Sequence, residues 1–96
     1  TRADSADGIT TGSNNTAVGY LAISGAAGST LTGDGNTAVG KDALKGLSGA
    51  ANSNVAVGYL AGDSITSGSS NTLIGYNADV DAATNAYQVK IGHYNS

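Results

Sequence analysis

Five short apolar runs, each closed by a glycine, punctuate a chain that is otherwise small and polar. Asn15-Thr16-Ala17-Val18-Gly19-Tyr20-Leu21-Ala22 recurs as Asn36-Thr37-Ala38-Val39-Gly40-Lys41-Asp42-Ala43, then as Asn54-Val55-Ala56-Val57-Gly58-Tyr59-Leu60-Ala61 and Asn71-Thr72-Leu73-Ile74-Gly75-Tyr76-Asn77-Ala78. A degenerate fifth copy is Gln88-Val89-Lys90-Ile91-Gly92-His93-Tyr94-Asn95. The steps between Gly19, Gly40, Gly58, Gly75 and Gly92 are 21, 18, 17 and 17 residues, so one unit is a fixed motif followed by a loop of variable length. Residues 1–10 read as a lead-in, and 11–96 as a single repeat domain.

The heart of each motif is a Thr or Val, a small or long residue, and a Val or Ile. It is rich in β-branched side chains and too short for a helix, which predicts a strand. Alternation along a strand puts Thr16, Val18 and Tyr20 on one face, and Asn15, Ala17 and Gly19 on the other. Both faces are apolar or small, which predicts a parallel sheet covered on both sides. Nine to thirteen residues separate successive motifs, close to the length of a parallel crossover. The predicted fold is therefore all-β: a parallel β-roll or β-prism solenoid of about five rungs. Stacking places Val18, Val39, Val57, Ile74 and Ile91 in one column, expected to be the core ladder and a contact between chains. Gly19, Gly40, Gly58, Gly75 and Gly92 follow it, where a side chain would collide with the next rung or with a neighbouring subunit. The loops are expected to form the exposed edge of the stack.

Composition adds the question of how such a stack is held. There is no Phe, Trp, Met, Cys or Pro, and the apolar residues are sixteen Ala, seventeen Val, Leu or Ile, and five Tyr. So few large aliphatics predict association with other chains, and a homotrimer is expected. Without cysteine there is no disulfide and no thiolate metal site. A net charge of −3, with seven Asp and four Lys or Arg, argues against a nucleic-acid partner. No run approaches the ~18 apolar residues of a membrane span, so no membrane insertion is expected. The start, Thr1-Arg2-Ala3-Asp4, lacks the pattern of a signal peptide, and any export signal is expected outside this segment.

Asn15 to Ala22 and Asn71 to Ala78 resemble the repeats of phage tail-fibre and tail-spike shafts, and the likeness covers nearly the whole chain. More distantly, the same segments are similar to the head repeats of trimeric autotransporter adhesins, whose rungs are shorter. Ala86 to Gly92 resembles the stretch before the C-terminal chaperone domain of some fibres. The resemblance implies a rigid trimeric spacer or tip, in a virion tail fibre or at a cell surface, that presents loops to a host-surface glycan or protein receptor. A bacterial adhesin head and an ice-binding β-solenoid are the alternative readings.

Candidate chemistry is sparse, and no enzymatic activity and no cofactor are expected. His93 is the single histidine and replaces Tyr20, Tyr59 and Tyr76 in their column, so it reads as structural. Those tyrosines are candidate surface or subunit-contact aromatics, able to stack on sugars or to cap the small-residue core. Lys41 and Lys90 interrupt the columns and are expected to mark more open, hydrated rungs. Asp79 and Asp81 could pair for acid–base chemistry or for a hard cation, but they match no calcium loop and read as solvated turn acids; no metal is expected. A polysaccharide-cleaving spike would need carboxylates from different rungs, ~5 Å or ~6.5–9.5 Å apart. Gly33-Asp34-Gly35-Asn36 and Thr11-Gly12-Ser13 lack a P-loop lysine or Rossmann spacing and read as turns. Thr16, Thr37 and Thr72 echo the arrays of ice-binding solenoids, but Val55 and Val89 break the column and no rung carries Thr-x-Thr.

Overall fold

The computed structural model describes residues 12–24, 31–82 and 84–92. Five three-residue strands, β1 (Thr16–Val18), β2 (Thr37–Val39), β3 (Val55–Val57), β4 (Thr72–Ile74) and β5 (Val89–Ile91), form one parallel sheet in chain order. Register is strict: Thr16 faces Thr37, Thr37 faces Val55, Val55 faces Thr72, and Thr72 faces Val89. With the crossovers this makes a β-solenoid of about four turns, with no helix among the described residues.

Backbone pairing runs on past the strands into the corner that follows them. Gly58 donates to the Val39 carbonyl, Leu60 to Lys41 and Gly62 to Ala78, so each rung keeps bonding its neighbours while it turns. The turning is done by left-handed residues at repeated positions. Leu21, Asp42, Leu60 and Asn77 have φ of 63°, 62°, 63° and 55°, and the residue before each motif repeats the device in Asn14, Ser53, Ser70 and Tyr87. Such backbone is unusual for non-glycine residues, and here rung-to-rung hydrogen bonds hold it in place.

The side of the sheet that faces inward corrects one expectation. Ala38, Ala56 and Leu73, the middle residues of their strands, are fully buried. Val18, Val39 and Ile74 are 40%, 36% and 39% exposed, Ile91 is 71% exposed, and Val57 is half-buried. The Val/Ile column is thus the outward face of the chain, and the Asn-Ala-Gly face is the interior. The reason lies in what faces the sheet from inside. Ile23, Leu31, Leu44, Leu47, Ile65 and Val80, all from the crossovers, fill the space behind it, leaving room on the strands for little more than a methyl group. The crossovers are therefore half of the core as well as its exposed edge. Where β4 carries the larger Leu73, the neighbouring corner carries Gly62. A methyl group there would lie 2.8 Å from Leu44 Cδ2 and 3.1 Å from Leu73 Cδ1.

The glycine column does what its position predicts, within one chain. A Cβ on Gly19, Gly40, Gly58 or Gly75 would come within 2.6–2.9 Å of the backbone of the next glycine in the column, and all four have φ between 123° and 133°. Gly49 differs: its φ is 61°, but a Cβ would meet nothing within 4 Å. Gly49→Ala is expected to cost about 1 kcal/mol, the penalty of a left-handed alanine. Gly58→Ala adds a collision with backbone that cannot give way and is expected to cost at least about 3 kcal/mol. Urea denaturation of the two variants measures the difference.

Candidate interaction surface

The inward asparagines carry a hydrogen-bond ladder from rung to rung. The backbone N–H and Nδ2 of Asn36 both donate to Asn15 Oδ1, at 2.8 and 3.0 Å. Asn54 repeats this on Asn36 Oδ1, and Asn71 on Asn54 Oδ1. Gln88 continues it with a backbone donation to Asn71 Oδ1 at 2.9 Å. The second Nδ2 proton of each asparagine goes to a carbonyl in the crossover: Gly33 for Asn15, Ala51 for Asn36, Gly68 for Asn54 and Asn85 for Asn71. Asn36, Asn54 and Asn71 have no exposed surface, so a substitution here strands buried polar groups. Asn54→Asp replaces a donating amide with a carboxylate facing Asn36 Oδ1 and the Gly68 carbonyl. It is expected to destabilise the fold by roughly 3–5 kcal/mol or to abolish folding; thermal melts monitored by circular dichroism provide the check.

A second polar ladder runs in the opposite sense two residues earlier. The backbone of Ser13 donates to Asp34 Oδ1, that of Asp34 to Asn52 Oδ1, and that of Asn52 to Ser69 Oγ, at 2.7–2.9 Å. The Gly33–Asn36 segment is therefore tied to the rungs on both sides of it through Asp34. Together the two ladders brace the entrances of β1 to β4 from both directions.

Outside, three columns cover the sheet. The first is Thr16, Thr37, Val55, Thr72 and Val89, and the second is the Val/Ile column. The third holds Tyr20, Lys41, Tyr59 and Tyr76; His93 lies outside the described residues. The Tyr59 and Tyr76 rings stack with centroids 5.5 Å apart and planes 18° from parallel. Lys41 Nζ lies 5.8 Å from the Tyr20 centroid and 5.4 Å from that of Tyr59, so the lysine fills the gap in the aromatic column as a cation between two rings. Lys41 keeps about half of its side-chain surface in solvent, as expected of a more hydrated rung. Tyr59 thus has Lys41 and Tyr76 as ring neighbours in the column.

Acidic residues gather on the corner after the strands. Lys41 Nζ bonds Asp42 Oδ2 at 2.8 Å, and this hydrogen bond holds the Lys41 ammonium above the ordinary lysine range. Asp42 is buried, and its Oδ1 has no hydrogen-bond partner among the described residues. Asp79 is not a solvated turn acid: it is 4% exposed and accepts from the backbone of Ser64 and of Val80. Asp81, in contrast, is exposed and bonds Lys90 at 2.9 Å. Asp79 is hydrogen-bonded to Asp63 of the preceding rung instead. Among the described residues no three His, Cys, Asp or Glu side chains are grouped to hold a metal ion.

Burial, the Asp79 hydrogen bond and the charges of Asp79 and Asp42 push the Asp63 carboxyl up to about 6, against the pull of Lys45. The folded chain therefore binds this proton more tightly than the unfolded chain, whose carboxyl titrates near 3.8. Its contribution to stability grows as pH falls through 6 toward 4 and is lost as pH rises through 6. Melting temperature is expected to increase between pH 7.5 and pH 5, and Asp63→Asn to flatten that slope.

Comparisons of the chain with protein-family models, curated proteins and solved structures return no match.

Proposed function

We propose that this chain is a structural and attachment segment of a trimeric virion tail fibre, a rigid stack that presents its loops to a host-surface glycan or protein receptor. The observation that carries this reading is the outward sheet face. Val and Ile form an unbroken ladder from β1 to β5, flanked by β-branched and tyrosine columns, and several members are more than a third exposed. An apolar strip of that regularity on one side of a solenoid is a surface to be covered. A second and third copy, with the same rise per rung, would cover it along its whole length. The motif resemblance to fibre shafts supports the trimer and the virion setting, and a bacterial adhesin head would use the same face in the same way.

One feature favours a second reading. The same face offers two parallel columns of β-branched side chains in register, a regular array with which an ice-binding solenoid would be compared although its threonines are interrupted by Val55 and Val89. The two readings differ in whether the face is free in solution.

Light scattering coupled to size exclusion, on wild type and Val57→Asp, separates them. The account predicts a wild-type particle of three times the chain mass. Because Val57 points outward, Val57→Asp is expected to keep its β circular dichroism and run as a monomer. A wild-type monomer would overturn the trimer and direct attention to ice-crystal shaping.

A further inference from the structure

Two dipeptides of the outer polar ladder hold a reactive pair of groups. In Asp34-Gly35 and Asn52-Ser53 the side-chain carbonyl carbon, Cγ, can close a succinimide ring with the backbone nitrogen of the residue that follows. A glycine or serine leaves that nitrogen unhindered, and all four residues are exposed to water. Both reacting groups of each dipeptide are nevertheless tied to one residue of the rung before. Asp34 Oδ1 accepts from the Ser13 N–H at 2.8 Å, and the Gly35 N–H donates to the Ser13 carbonyl at 3.0 Å. One rung on, Asn52 Oδ1 accepts from the Asp34 N–H at 2.7 Å, and the Ser53 N–H donates to the Asp34 carbonyl at 3.0 Å. Ring closure requires the side chain and the following peptide plane to turn toward one another, which breaks this clamp.

We propose that Asp34 and Asn52 are succinimide-forming modification sites gated by the stack, closed while the rungs are paired and reactive once they part. In the open state the Gly35 nitrogen attacks Asp34 Cγ. The N–Cγ bond forms, and the amide proton leaves with the carboxyl hydroxyl as water. At Asn52 the Ser53 nitrogen attacks in the same way, and the side-chain nitrogen takes up the amide proton and leaves as ammonia. Water then opens the ring at either carbonyl, giving aspartate or isoaspartate, whose backbone runs through the side-chain methylene. Water is the one co-reactant, and nothing is oxidised or reduced. Isoaspartate does not fit the rung it came from. At position 34 it lengthens the backbone by one carbon just before Asn36, whose amide has to meet both Asn15 and Asn54 in register. A rung that opens and reacts is thereby kept from closing, and a transient separation becomes a permanent one.

The test is site-resolved peptide mapping by mass spectrometry after incubation near neutral pH, with electron-transfer fragmentation to tell isoaspartate from aspartate. Wild type is incubated folded in buffer and unfolded in guanidinium chloride, and Ser13→Pro, which removes the donor to Asp34 Oδ1, is incubated folded. Both sites are expected to react in the unfolded chain and at least about tenfold more slowly in the folded one, as for any process that waits on local opening. Ser13→Pro should speed isoaspartate formation at Asp34 about fivefold, the worth of one lost hydrogen bond, and leave Asn52, clamped by Asp34, at the wild-type rate. Equal rates in folded and unfolded wild type would overturn the proposal, as would no reaction in the unfolded chain. So would a folded Ser13→Pro in which Asp34 reacts no faster, or in which both sites accelerate together. Should Ser13→Pro lose its β circular dichroism, wild type in sub-denaturing guanidinium takes its place. There the reaction at Asp34 should rise in step with hydrogen exchange of the Gly35 amide, and a rate that ignores that exchange would refute the gate.

Discussion

A buried primary amide has to satisfy two donors and an acceptor, and that requirement governs this fold. Asn36, Asn54 and Asn71 are fully buried, and there an unmade hydrogen bond costs about 1–3 kcal/mol. Each can be satisfied only when another rung stands directly above and below, in register, and a crossover carbonyl returns to the same spot. A slip of one residue would turn the asparagines outward and leave backbone groups unpaired in their place. The ladder thus selects both the rise and the register of the stack, which apolar packing among so many alanines specifies weakly.

Other features follow from that spacing. Rungs held this close admit no side chain where backbone crosses backbone, hence the glycines at 19, 40, 58 and 75. The inward strand position is narrow, hence alanine, with Leu73 accommodated only opposite Gly62. The larger aliphatics the core still needs come from the crossovers. What remains on the strands, the β-branched and tyrosine columns, is displaced to the outer face. The surface available for association is thus a by-product of how the interior is filled.

Much of this was legible in the residues. The repeat phase located all five strands, and the glycine spacing indicated parallel crossovers. The strand residues Thr16–Val18 and their equivalents are where β-branching placed them. The inside and outside of the sheet were not legible, because valine beside alanine suggests that valine is buried. The deciding fact was the size of Ile23, Leu44, Leu47 and Ile65, which pack against the sheet from loops of uneven length. Asn15, Asn36, Asn54 and Asn71 did carry a signal: the same amide at the same phase, on the face shared with Ala and Gly. A polar residue repeated on an inward face has to bond along the stack. The contact of Asp63 with Asp79 joins different rungs at different motif positions, so no periodicity announces it.

The ladder is open to direct observation through its own protons. Hydrogen exchange of the Nδ2 protons of Asn54 and Asn71, followed by nuclear magnetic resonance, compares them with the backbone amides of Val55 and Thr72. Protection of the side-chain amides matching that of the strand backbone is the predicted result, since both open only when the rungs separate. Side-chain exchange at the rate of a solvent-exposed amide, in a chain whose strands remain protected, would contradict the claim that these amides hold the register.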